Sequence, residues 1–282
     1  MIIWIASYPK SGNTWLRALL ASYYFTNDGS FSLSLLDKID AFPSDKFFKE
    51  YNDQFSKVED TSKYWLKEQE KINKKNKITF LKTHSAICKI NGNSFTNKEN
   101  SIGAIYIVRD PRNVITSVSN HYQISIEDAF QFMKDEKRGI INKKDGRYLG
   151  FQAVWSWSIN QKTWVENKLF PVLVIKYEDL LNETYNTFRK VIEFINKISN
   201  SSKTFNKSKG KNSIKNTSFE KLQRMENDHG FAEAMNKKGT NKKIKFFNLG
   251  QKNNYKNLLS QDLIIKMNEF FKEELIKFNY EK

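Results

Sequence analysis

Tyr8-Pro9-Lys10-Ser11-Gly12-Asn13-Thr14-Trp15 puts a cation, a glycine and two hydroxyls between an apolar run and an amphipathic segment. Ile2–Ser7 reads as a buried strand and Thr14–Phe25 as a helix. A helix start offers unpaired N–H groups and the positive end of its dipole, so such a junction can bind phosphate. Gly12 lets the backbone approach an anion, Lys10 adds a point charge, and Ser11 and Thr14 add hydroxyl donors. The bland alternative is an ordinary cap at Thr14, with Pro9 and Gly12 only making the turn. The order departs from the nucleotide P-loop G-x-x-x-x-G-K-[ST], because the lysine precedes the glycine and no acidic magnesium ligand is evident on a neighbouring strand. That order implies phosphate binding without metal-assisted hydrolysis.

A second strand–turn–helix stretch runs from Ile105 to Ser117. Arg109 falls at the carboxyl end of its strand, where open α/β sheets bind ligands. Ser117, eight positions on and two turns into the following helix, can face the same phosphate. A surface turn of Arg109 and Asp110, capped by Asn113, would explain the same letters.

Several elements must position these residues. Ile2–Ser7, Ile78–Leu81, Ala104–Val108 and Val172–Ile175 are short apolar runs of the kind buried in parallel sheets. Between them, helical spacing marks Thr14–Phe25, Asn113–Gln123, Ile126–Lys134, Gly150–Glu166 and Glu183–Asn196. The alternation predicts an α/β fold, a central parallel sheet flanked by helices. Residues 196–216 and 236–245 are rich in Lys, Ser and Asn and are expected to be mobile loops. Gln261–Lys277 carries Leu263, Ile264, Met267, Phe270, Phe271 and Leu275 on one stripe, as a core-packing helix would. The 282 residues are expected to form a single domain.

The two motifs resemble those of the PAPS-dependent sulfotransferases. "YPKSGNTWLR" is similar to their 5′-phosphosulfate loop, and "VRDPRNVITSVSNHY" to their 3′-phosphate motif. "FLKTH" (80–84) resembles the strand end that carries the family's catalytic histidine. "GRYLGFQAVWSWSIN", "PVLVIKYEDLL" and "NTSFEKLQRMEN" extend the likeness over most of the chain. The resemblance implies a P-loop NTPase-like sulfotransferase fold and transfer of the sulfuryl group from PAPS to an acceptor hydroxyl, or an amine, by in-line displacement, with PAP as product.

By that resemblance Lys10, Ser11, Gly12, Asn13 and Thr14 hold the phosphosulfate, and Trp15 packs near the adenine. Arg109 and Ser117 take the 3′-phosphate; Tyr177, Thr217 and Phe219 contact the adenosine. His84 becomes the general base, since an imidazole titrates near neutral pH, and Lys10 and Lys82 meet the charge on the leaving group. The C-terminal family motif, Arg-Lys-Gly followed by Gly-Asp-Trp-Lys-Asn, is matched only in part by "FFNLGQKNNYKN" (246–257). Gly250, Lys256 and Asn257 align, Tyr255 replaces the tryptophan, and Asn248 and Leu249 stand where two cations belong. Lys243, Lys245 and Lys252 are the nearest replacements. The family's short dimerisation pattern is not recognisable, which leaves the oligomeric state open.

Residues 27–77 are the expected supplier of the acceptor site, through Phe42, Phe47, Phe48, Tyr51, Phe55, Tyr64 and Trp65; the same rings would equally serve as core. A sugar, lipid, peptide or small phenol would all fit as acceptor. Alternative functions are a PAP- or nucleotide-binding protein without transferase activity, or a P-loop-like kinase turning over ATP with magnesium.

The formal charge of +16 points to acidic partners, or to a lysine-rich solvated surface. The basic residues are scattered without a recognition motif, so nucleic acid is not an expected partner. No run of about 18 apolar residues marks a membrane span. Met1–Ile5 lacks the basic leader of a secretory signal, and the single cysteine, Cys88, fits a reducing cytoplasm. Three histidines and one cysteine show no metal-ligand spacing, so no metal is expected.

Overall fold

Side-chain alternation along the first strand decides the architecture. Ile2, Trp4 and Ala6 pack into one hydrophobic cluster, whereas Ile3 and Ile5 pack into another. A strand buried on both faces must lie inside a sheet covered on both sides. The computed structural model describes residues 1–75, 77–237, 239–240 and 242–281.

The chain opens with β1 (Ile2–Ser7), α1 (Asn13–Phe25), β2 (Asp40–Ala41), α2 (Trp65–Asn73) and β3 (Thr79–Thr83). A small pair, β4 (Lys89–Ile90) and β5 (Asn93–Ser94), precedes β6 (Ser101–Val108), α3 (Pro111–Tyr122) and α4 (Ile126–Lys134). A hairpin of β7 (Gly139–Lys144) and β8 (Arg147–Ala153) leads into α5 (Trp157–Val165) and β9 (Val172–Lys176). The helices α6 (Tyr177–Asn182), α7 (Thr184–Ile198), α8 (Lys207–Asn216) and α9 (Phe219–His229) follow. The chain ends in α10 (Tyr255–Leu258), α11 (Gln261–Phe270) and α12 (Lys272–Lys277).

The central sheet has the order β2-β3-β1-β6-β9, with every neighbouring pair parallel. All strands therefore end on one edge; His84, Arg109 and Tyr177 each follow directly after one of them, and Lys10 follows β1 by three residues. On β6, Ala104, Tyr106 and Val108 join the cluster that holds Trp4, while Ile105 and Ile107 join the cluster that holds Leu16, Phe188 and Val191. Burying each such large apolar side chain contributes about 1.5–3 kcal/mol. This packing fixes the strand ends that carry the site.

Three expectations change. The helix predicted over Gly150–Glu166 is divided: β8 runs to Ala153 and α5 starts at Trp157, capped by the Ser156 hydroxyl, which accepts from the Ile159 N–H. Asp145 and Gly146, both at positive φ (49° and 77°), form the two-residue turn that folds β8 back on β7. The expected loop at 196–216 contains α8, because Phe205 stacks on Tyr23 at 5.6 Å and Asn206 caps the helix by accepting from the Lys209 N–H. The C-terminal stripe is shared by α11 and α12, which meet at Phe271; Ile264, Met267, Phe271 and Leu275 are buried. In the other expected loop, Asn236 pairs with Lys243, and positions 238 and 241 lie outside the described residues. No helix among the described residues is long and apolar enough to cross a membrane.

Candidate active site

A cavity of about 780 Å³ opens along the strand ends. Its floor is the turn between β1 and α1. Gly12, at φ 103°, is the N-cap of α1 and brings no side-chain cap. The Thr14 hydroxyl is not a cap either; it donates to Glu233 Oε2 at 3.3 Å. An added Cβ at Gly12 would stand 2.6 Å from Cδ2 of Tyr177, so this close approach requires glycine. Lys10 and Asn13 also border the cavity, and the Asn13 amide braces the turn by donating to the Ile5 carbonyl at 2.9 Å. Ser11 is fully buried with its hydroxyl unpaired and outside the cavity lining, which corrects the expected ligand contact from that side chain.

Lys10 Nζ rests 3.6 Å from the centre of the Phe246 ring. Burial lowers its pKa to about 7, against the pull of Glu233 and with the push of Lys82 and Arg109. The lysine is therefore poised between charged and neutral at physiological pH.

Arg109 and Ser117 come together as expected. Arg109 Nη1 donates to the Lys10 carbonyl at 3.1 Å and to Ser117 Oγ at 3.5 Å, and its guanidinium lies 4.2 Å over the Tyr177 ring. Arg109 is only 6% exposed, and the cap of α3 is Asp110, whose carboxylate accepts from the Arg112 N–H; the surface-turn alternative is thereby excluded. Asn253, unnoticed in the sequence, pins this end: its Nδ2 donates to Ser117 Oγ at 3.0 Å and to the Asn113 carbonyl at 2.9 Å. Trp15, Tyr177, Phe219 and Gly250 line the adjoining wall, together with Asn248 and Leu249. Thr217 does not reach it: its hydroxyl donates to the Ser213 carbonyl at 2.8 Å, closing α8, and the residue is fully buried. Lys243, Lys245 and Lys252 all lie outside the lining, and Lys243 Nζ is spent on the Phe231 carbonyl at 2.9 Å.

His84 stands at the end of β3. Its Nδ1 lies 2.8 Å from the Ser7 carbonyl oxygen, an atom that only accepts, so Nδ1 carries the proton and Nε2 keeps a free lone pair. The backbone on either side is held as well, by Gln152 Oε1 and Asn160 Nδ2, each at 2.9 Å. Burial, then the charge of Lys82, pushes the imidazole down to about 3, in place of the near-neutral value the residue type suggests.

Glu233 is a second residue that sequence reasoning missed. Its carboxylate accepts from Arg17 at 2.5 Å and from Lys82 at 3.1 Å, besides Thr14. Burial alone would raise it, but Lys82 and Arg17 prevail and hold it well below the usual carboxylate range. A signal was present at Arg17, a cation among the apolar residues of α1 that had to find a buried partner.

The far wall is apolar: Tyr122 stacks on Phe132 at 4.9 Å, with Ile140, Met235 and Phe246 around them. His121 lies beside Tyr122 and also faces the cavity. The described residues of 27–77 contribute nothing to the lining, against expectation. Phe42, Phe48, Phe55 and Trp65 are core residues, with Phe47, Tyr51 and Tyr64 packed onto them.

A family model described as the sulfotransferase domain matches residues 2–279. The chain belongs to the sulfotransferase family. It is 25% identical to luciferin sulfotransferase of Photinus pyralis over 96% of this chain and 70% of that one. It is 26% identical to flavonol 3-sulfotransferase of Flaveria bidentis over 97% of this chain and 81% of that one. The chain also shares its fold with retinol dehydratase in complex with androsterone and PAP, at a TM-score of 0.60 and 14% identity over 97% and 80% of the two chains. Mouse sulfotransferase SULT7A1 complexed with PAP gives a TM-score of 0.54 and 16% identity over 97% and 83%. No group of three His, Cys, Asp or Glu side chains among the described residues could hold a metal ion.

Proposed function

We propose that this chain transfers the sulfuryl group of PAPS to the hydroxyl of an acceptor seated against the Tyr122–Phe132 wall, with His84 as general base. The observation that supports the reading is the hydrogen bond from His84 Nδ1 to the Ser7 carbonyl, which leaves the lone pair on Nε2 of a residue that lines the cavity. In the transfer the acceptor oxygen bonds to sulfur, its proton goes to Nε2, and the bond from sulfur to the bridging oxygen breaks. Lys10 and Lys82 supply charge for the phosphate oxygen left on PAP. The anionic co-substrate would also bring negative charge that raises His84 toward the range of a working base.

The residues present suit a nucleotide of that kind. Arg109 Nε and Trp15 Nε1 are buried donors without partners, and both residues line the end assigned to the nucleoside and its 3′-phosphate. Unpaired buried donors are costly, so a ligand that meets them binds with advantage. Calorimetry with PAP, then a mass-spectrometric screen of phenols, sugars and lipids with PAPS, tests the reading: a sulfated product that vanishes in Lys10→Ala supports it. Asn248 and Leu249 favour a second reading, PAP binding without turnover, which predicts heat with PAP and no product from any acceptor.

A further inference from the structure

Lys82 ends up in an awkward place for an ammonium group. Its side chain is 12% exposed, at the end of β3, in a cavity wall that also holds Lys10 and faces Arg17. Burial works against its charge, and Arg17 adds to the penalty; only Glu233 works the other way. Glu233 reaches in from the stretch after α9 and joins Thr14 on the phosphosulfate turn and Arg17 one turn further along α1 to Lys82, which lies far from both in sequence. Arg17 is in turn anchored, its Nη2 donating to the Leu36 and Ile39 carbonyls at 3.1 and 3.2 Å.

We propose that Glu233 is a positioning residue of the transfer site: its carboxylate ties Lys82 to the phosphosulfate turn and serves as the counter-ion that keeps the site's lysines charged. The inference rests on the sulfuryl-transfer reading above, because the charge matters for the leaving phosphate. Glu233 touches neither the acceptor nor the reacting oxygen in this role. The charged and titratable groups facing Lys82 are Glu233, Arg17, Lys10, His84 and His121, and Glu233 alone among them is negative. Lys10 feels the same carboxylate through space, more strongly than that of Glu226, and is opposed by Lys82 and Arg109, so both lysines respond to the loss of Glu233.

Removing the negative charge has a signed consequence. With Glu233→Gln, both ammonium groups lose protons at a lower pH than before. Toward acid pH, below the displaced limb, both are protonated in either protein, and PAP meets one repelling carboxylate fewer in the variant. The variant should then bind PAP at least as tightly as the wild type. As pH rises its affinity should fall first, with the alkaline limb displaced downward by about one to two pH units, the worth of one charge-assisted hydrogen bond. The two affinity curves cross. The kcat of sulfuryl transfer should follow the same displaced limb, and Glu233→Asp should restore much of it.

PAP calorimetry across pH on wild type, Glu233→Gln and Glu233→Asp decides the matter without any acceptor. Crossing curves with recovery in the aspartate variant support the assignment. Parallel curves, whether weaker at every pH, as for lost packing, or tighter at every pH, as for a carboxylate that merely blocks the anion, overturn it. Absence of PAP binding by the wild type would instead overturn the donor reading itself, so the two failures are distinguishable.

Discussion

At Gly12, one missing methyl group decides whether the turn can exist. Tyr177 occupies the space a Cβ would need, and φ of 103° disfavours any other residue. Gly12→Ala should cost roughly 1–3 kcal/mol of stability and lower PAP affinity at least tenfold, read by thermal unfolding and calorimetry together. Lys10 gives a pH signature. Its pKa of about 7 in the free protein must rise when an anion binds beside it, so PAP binding takes up a proton above pH 7. Affinity should fall as pH rises, by up to about tenfold per unit until the bound-state value is reached. An affinity that stays flat between about pH 6 and pH 9 would show that Lys10 does not face the ligand.

At the scale of elements, the strands and their end residues were the legible part. Buried parallel strands are continuous apolar runs, and β1, β6 and β9 contain the segments read from the sequence, with the site residues directly after them. The β7–β8 hairpin was hidden because its strands carry Lys143, Lys144, Arg147 and Gln152, which keep no clean alternation; Asp145-Gly146 was the available turn signal. Helix α8 was obscured by its Lys, Ser and Asn content, since the contact that orders it is Phe205 on Tyr23, between segments remote in sequence. Glu233 was invisible for the same reason: its partners lie on α1 and β3. The segment carrying Asn248 and Leu249 yields a direct prediction. Leu249→Lys should tighten PAP binding by about tenfold while leaving adenosine 5′-phosphate unaffected, because the added cation has only a 3′-phosphate to meet. Equal gains for both nucleotides would place position 249 elsewhere in the site.

Across the whole molecule, the division between core and cavity differs from the division of the sequence into segments. Phe42, Phe48, Phe55 and Trp65 stabilise the fold as core residues, and the apolar wall proposed for the acceptor draws on α3, α4 and the β7–β8 hairpin. Phe48→Ala should therefore cost about 3–5 kcal/mol in stability with no change in the KM for acceptor. Phe132→Ala should raise that KM instead, and the reverse pattern would return the acceptor site to 27–77. The parallel sheet gathers four strand ends on one edge, so Lys10, His84, Arg109 and Tyr177 border one cavity although successive members lie 74, 25 and 68 positions apart in sequence. The most direct measurement pairs PAP calorimetry with PAPS-dependent product formation in wild type and His84→Ala. The substitution should leave PAP affinity within about twofold and lower turnover by about 10²–10⁴-fold. Unchanged turnover in a variant that still binds PAP would contradict the assignment of His84 as the base.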